Sequence, residues 1–380
     1  MSNRTSSALL LASVLMVATV VAGCGGSGSG GTSDLGDWTL RTDGLTLAKE
    51  LQVSETERYF IGSIQDLAVT SGGRMVVLDG EATHLKILRP DGTLLDTLGR
   101  QGQGPGEFQR PRQVHTARGD SVHVFDVVGD RLTVFTPPPS PTFARSVLVT
   151  SDVGNLTQVY VLEDRLAGRF TPGYTRKEGL RRPSPAFWRA IHETGVAGDT
   201  LLTAHRRKVA TFFGGPGAAI AYLPFGRETR VAPGPDARLY HGSTDSLHIK
   251  ATSLDGTTEG IASVPAEPVP VTEAARDSAL QDYPEKLRST LRSALPEMKP
   301  AFTDLVVADD GRLWVERPAK TAEPDTTTWW VLDPAPKAIQ EVQLPSEVAI
   351  EVVQDGTVYG TTTTENGAPA VVRYRVRAGN

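Results

Sequence analysis

From residue 64 to the C-terminus, apolar and polar positions alternate in short runs separated by Gly, Pro, Asp and Ser. A period of two over five or six residues predicts half-buried strands, and the separators predict turns. Residues 64–69, 74–79, 84–88 and 93–98 read as four strands in 35 residues, reversed at Gly72-Gly73 and Asp91-Gly92. A second set follows the Gly- and Pro-rich run 100–112: a strand anchored by Pro111, a turn at Gly119-Asp120, then strands at 122–126 and 131–135. The same first turn recurs near Arg165, between Pro235 and Asp245, at Gly311 and at Gly356. Gly73 to Gly119 and Gly119 to Arg165 are each 46 residues, and Gly311 to Gly356 is 45.

Four short strands repeating every ~40 to 50 residues cannot bury their faces alone and must stack on one another. The pattern predicts an all-β chain folded as a six-bladed β-propeller, seven blades being the alternative if Gly198-Asp199 marks a further turn. Two intervals exceed the period and predict insertions near 172–217 and 270–299. In the second, Leu280, Tyr283, Leu287, Leu291 and Leu295 recur at spacings of three and four among charged residues, which predicts an amphipathic helix. The orphan β-like segments 38–40 and 45–48 precede the first repeat, while almost nothing follows the last. The N-terminal strand is therefore expected to complete the final blade and leave no long open edge.

The N-terminus adds a compartment. Arg4 precedes an apolar run, 8–21, that is shorter than the ~20 residues of a bilayer span, and Ala22-Gly23 supply small residues before Cys24. This reads as a signal peptide over 1–23. Cys24 is the single cysteine of the 380 residues. Val21-Ala-Gly-Cys24 resembles the lipobox of bacterial lipoproteins, with Val21 where Leu is commoner. That resemblance implies a lipidated Cys24 as the new N-terminus, on the Gly/Ser tether 24–36, with 37–380 as the propeller domain. Gly25 after the cysteine, by the same analogy, implies an outer-membrane lipoprotein facing the periplasm or the cell surface. With Cys24 used for lipid, no thiol remains for an internal disulfide. The formal charge of −5 becomes −6 once Arg4 is removed, with both signs interspersed, so no basic field exists to attract nucleic acid.

Gly102, Gly104-Pro-Gly-Glu-Phe108, Pro111, residues 122–126, Arg131 and Phe135 resemble NHL-type repeats and the six-bladed propeller lipoproteins of bacteria. The match is strong over 64–135, weak at 303–315 and 350–359, and absent between. It implies a scaffold that holds ligands or proteins at the ends of its central channel. Some similar propellers are lyases that bind zinc through histidines, or lactonases and arylesterases that bind calcium through Glu, Asn and Asp.

The residues themselves offer little catalytic chemistry. His84, His115, His123, His192, His205, His241 and His248 show no metal-ligand spacing, and Asn155 and Asn366 are the only asparagines between the tether and Asn380. Asp79 and Asp126 end equivalent strands and read as turn caps rather than a carboxylate ring. Gly102–Gly106 precedes a strand instead of opening a helix, so it is not a phosphate cradle. Trp314, Trp329 and Trp330 read as packing residues. Two basic clusters remain beside aromatics: Arg176, Lys177, Arg181 and Arg182 with Trp188, and His205, Arg206 and Arg207 with Lys208. Arginine beside aromatic residues is enriched in binding patches. The expectation is a binding or interaction module of the cell envelope, with no catalytic residues, metal or cofactor assigned. Its partners would be the membrane and an envelope protein, a glycan or a small anionic ligand. A metal-dependent hydrolase or lyase with its site in the channel is the alternative.

Overall fold

The computed structural model describes residues 37–54, 59–173, 178–214, 217–322 and 324–379. The segments expected to be the signal peptide and the tether, with Cys24, and Arg176 and Lys177 lie outside the described residues. Two strands precede the repeats, β1 (Thr39–Leu40) and β2 (Leu45–Val53). The first sheet holds β3 (Ile64–Val69), β4 (Met75–Asp79), β5 (His84–Leu88) and β6 (Leu94–Leu98) in chain order. The second holds β7 (Pro111–Thr116), β8 (Val122–Asp126), β9 (Arg131–Phe135) and β10 (Phe143–Leu148). The third begins with β11 (Asn155–Leu162) and β12 (Arg165–Thr171), is interrupted by β13 (Gly179–Arg181), and resumes with β14 (Ala186–Ile191) and β15 (Ala197–Ala204). A hairpin of β16 (Val209–Gly214) and β17 (Gly217–Tyr222) then joins β13 in a separate three-stranded sheet.

The fourth sheet is β18 (Thr229–Gly234), β19 (Arg238–Ser243), β20 (Leu247–Ser253) and β21 (Thr258–Val264). Helices α1 (Glu273–Leu280) and α2 (Glu285–Arg292) follow. The fifth sheet is β22 (Asp304–Val307), β23 (Leu313–Arg317), β24 (Thr326–Asp333) and β25 (Ala338–Pro345), with β1 added in parallel on its outer edge. The sixth is β26 (Ala349–Gln354), β27 (Thr357–Thr363) and β28 (Pro369–Ala378), closed on the outside by β2.

These six sheets form a ring. Their first strands touch in order, β3 to β7, β11, β18, β22 and β26, and β26 returns to β3. Six apolar clusters fill the six gaps, from Val76, Ile87, Phe108 and Val124 between the first two sheets to Val53, Met75, Tyr359 and Val371 between the last and the first. A strand in the middle of such a sheet is covered on both faces, which is why β4 and β8 are buried at every position. Small antiparallel sheets set around one axis are the arrangement of a β-propeller. Among the described residues no helix is long and apolar enough to cross a membrane.

Each predicted first turn lies between the first and second strands of a sheet. Asp355 and Gly356 both have positive φ, 51° and 64°, the geometry of a tight two-residue hairpin. Neighbouring turns are tied to each other: Ser71 bonds to the Asp120 carboxylate at 2.7 and 2.8 Å, and the Asp355 amide donates to Asp309 at 3.0 Å. Gly198-Asp199 is not a turn but lies inside β15.

The first insertion differs from the expectation. Residues 186–191 and 197–204 inside it are regular strands of the third sheet, and only the flanking segments are extra. The second contains two helices rather than one, because Pro284 ends the first run and opens the next. The extra segments share a core: Leu280, Leu287, Leu291 and Leu295 pack on Ala210, Ala221 and Leu223. The apolar helix face is thus covered by the additional sheet.

Candidate functional site

The first strands enclose a cavity of about 490 Å³ at the ring's axis. Counting three or four residues back from the end of each first strand gives Asp66, Gln113, Gln158, Arg230, Asp304 and Glu351. All six line the cavity, and each comes from a different sheet. Two of them also stitch sheets together. Asp66 Oδ2 accepts from the Val114 amide at 2.8 Å, and Gln113 Oε1 accepts from the Val159 amide at 2.7 Å, the same contact one sheet further on. Gln158 donates to the Tyr160 hydroxyl, which donates to the Val231 carbonyl, both at 2.9 Å.

Charge is unevenly spread around this ring. Asp304, Glu351 and Asp66 stand on the fifth, sixth and first sheets in succession. Burial raises all three carboxyl pKa values, Asp66 to about 8, and repulsion adds to it: Asp304 acts on Glu351, and Glu351 on Asp66. Asp66 and Asp304 are half-buried and Glu351 is exposed to the channel, and the protein packed around them limits the water that solvates their charge. On the opposite arc Arg169 and Arg230 line the cavity from the third and fourth sheets. Glu228 bridges Arg230 at 3.4 Å and Arg207 at 2.5 Å. Arg169 has no ion-pair partner among the described residues, and burial followed by nearby Arg206 lowers its pKa.

His115 also faces the cavity. Burial pushes its imidazole down to about 4, so it is neutral near pH 7, and its buried Nε2 has no hydrogen-bond partner. The ring meets Tyr160 edge-on at 6.0 Å, and Tyr160 stacks on Trp188 at 4.8 Å. Among the described residues no three His, Cys, Asp or Glu side chains converge as ligands for one metal ion.

Those of the basic and aromatic residues singled out in the sequence that lie among the described residues do not form one exposed patch. Trp188 is buried in the third sheet, with its indole stacked as above. Arg181 sits half-buried on β13 and Arg182 is exposed just beyond it. His205 is exposed, Arg206 half-buried, and Arg207 ion-paired to Glu228. Trp314 and Trp329 are buried, and Trp330 lies under the Arg317 guanidinium at 4.3 Å.

Asp79 and Asp126 are both fully buried turn caps. Asp79 accepts from the amides of Gly62, Ser63, Glu81 and Ala82, and Asp126 from those of Gln109, Arg110 and Val128. In the Gly-rich loop the Gly104 amide is held by Glu107 at 2.9 Å, an internal tie rather than a phosphate cradle.

No family model matches the chain, and no curated protein matches it by sequence. Among solved structures, an inferred exported protein of Bacteroides fragilis superposes with a TM-score of 0.54 at 11% identity, over 88% of this chain and 96% of that one. This likeness shows the fold alone. A member of the DUF4221 family from Bacteroides vulgatus gives 0.49 at 10% identity, over 89% and 100% of the two chains. Virginiamycin B lyase from Staphylococcus aureus gives 0.41 at 10%, over 86% and 99%. Those two similarities are too remote to bear on function.

Proposed function

We propose that this chain is an exported lipoprotein of the cell envelope, a six-bladed propeller that binds a small polar ligand in its central channel. The observation that carries the reading is the ring of Asp66, Gln113, Gln158, Arg230, Asp304 and Glu351 around one cavity. Ligand pockets commonly occupy about 300–1,000 Å³ and rely on a few convergent polar groups. The repeats that resemble NHL-type blades, and the six-sheet ring with β2 as the last outer strand, support the propeller reading. The channel replaces the 176–208 region as the preferred site, because Trp188 is buried and Arg207 is already paired.

The test is a thermal-shift screen with free amino acids, short peptides, sugars, nucleosides and dicarboxylates. At least one class is expected to raise the melting temperature. Glu351→Gln or Arg230→Met should weaken that binding tenfold or more, since hydrogen bonds to charged groups are worth about 1.5–3 kcal/mol. If no class shifts the protein, or both variants bind as the parent does, the channel is not the site.

The envelope assignment rests on the 8–21 apolar run and Val21-Ala-Gly-Cys24. Cys24→Ala is expected to abolish incorporation of labelled palmitate and move the protein from the membrane to the soluble fraction. Continued membrane association without label would remove the lipoprotein reading.

A further inference from the structure

The polarity of the channel narrows the ligand beyond the binding reading on which this inference rests. Asp66 on the first sheet and Arg230 on the fourth are three sheets apart in a ring of six, and therefore face each other across the axis. Asp304, Glu351 and Asp66 line one arc with carboxyl groups, of which Asp66, raised to about 8, keeps its proton at pH 7 until a cation lies against it. Arg169 and Arg230 make the other basic, with Glu228 neutralising part of it. An anion alone would satisfy the arginines but meet the carboxylates, and a cation alone would do the reverse. A ligand carrying both charges at opposite ends meets neither penalty.

Two groups point the same way. Arg169 is a half-buried cation on the wall without an ion-pair partner among the described residues, and His115 Nε2 is buried without a hydrogen bond. Buried polar groups are rarely left unmet. The repulsion of Glu351 with its neighbours Asp304 and Asp66 is likewise relieved by an ammonium group placed beside it.

We infer that the channel takes a small zwitterion of the amino-acid or short-peptide class, its ammonium against the Asp304, Glu351 and Asp66 arc and its carboxylate against Arg169 and Arg230. Charge at both ends sets specificity, while Gln113 and Gln158 offer hydrogen bonds to the peptide groups between.

Titration calorimetry on the full chain in mild detergent tests this with trialanine, N-acetyltrialanine and trialanine amide, together with a mixed tripeptide pool in the same three forms. The free peptides are expected to bind at least tenfold tighter than either capped form. Arg169→Met should weaken the free and N-acetylated peptides and leave the amide unchanged, whereas Glu351→Gln should weaken the free peptide and the amide and leave the N-acetylated form unchanged. Capping the ligand leaves the protein untouched, so this arm holds even where a variant folds poorly. Equal binding of free and capped forms, or variants that weaken all forms alike, overturns the zwitterion and leaves channel binding intact. So does the absence of any tripeptide binding when the broader screen finds a ligand that is neither a free amino acid nor a short peptide. Failure of both screens overturns the channel reading itself.

Discussion

Deleting residues 1–53 is expected to yield an insoluble chain, whereas deleting only 1–36 leaves a soluble, cooperatively folding one. The difference is the stretch that holds β1 and β2. β2 pairs antiparallel with β28 from Leu45 opposite Ala378 to Val53 opposite Val371. Val53 enters the core between the sixth and first sheets, and Trp38 the core between the fourth and fifth. Losing a buried Trp costs about 3–5 kcal/mol, against a whole-domain stability of about 5–15 kcal/mol. The deletion also removes the ion pairs of Glu50 with Arg373 and Arg375 and strips the cover from eight residues of β28, 371–378. An uncovered strand carrying Val371, Val372, Tyr374 and Val376 is a template for pairing with other chains. Soluble yield, size-exclusion profile and thermal melting of the two truncations check this. A soluble 54–380 chain melting within a few degrees of the longer one would show that ring closure contributes little.

The closure by β2 was legible because 45–48 had no partner in the repeats, whereas 38–40, expected on the same final sheet, instead joins the fifth. The first turns were legible for a similar reason: a hairpin needs residues that tolerate positive φ, and Gly73, Gly119, Gly311 and Gly356 supply them at a near-constant interval. The fourth repeat's turn was placed only within 235–245 because Asp236 and Ala237 adopt φ of 58° and 52° without a glycine. The third hid its outer strands because register shifts at Trp188/Arg189 and Arg189/Ile191 break the alternation there. The core shared by the two insertions joins residues about 80 apart, and no local pattern announces such a contact.

The channel residues were less visible than the fold. Asp66, Gln113, Gln158, Arg230, Asp304 and Glu351 occupy one register position, yet differ in side chain, so nothing marks them as a set until the strands are aligned on their turns. Counting back from each turn would have found them. The basic clusters stood out instead because composition reports charge and aromaticity but not which side of a sheet each residue takes. Trp188 and Arg182 are six residues apart, and the first is buried while the second is exposed.

Asp79→Ala is expected to destabilise the domain by about 3–5 kcal/mol, the usual cost of leaving one partner of a buried ion pair alone. Besides four backbone amides, Asp79 holds Lys86 Nζ at 2.5 Å, and Lys86 is itself buried. The equivalent Asp126→Ala should cost less: Arg131, 3.8 Å away, also donates to the carbonyls of Gln103 and Glu107. Adding Lys86→Met to Asp79→Ala should therefore recover part of the loss. Burial alone would raise the Asp79 pKa, but Lys86 and the amides of Ala82 and Gly62 outweigh it and hold the value below the ordinary 3.8. A carboxylate with a depressed folded pKa contributes stability above its unfolded pKa, and that contribution disappears as pH falls through the folded value. The gap between parent and Asp79→Asn should accordingly be full near pH 7 and close below about pH 4. Denaturant midpoints at constant m-value measure both effects. A loss under 1 kcal/mol for Asp79→Ala, or a gap to Asp79→Asn that does not narrow at all as pH falls below 4, would mean the buried pair is not what secures the first sheet to its entry loop.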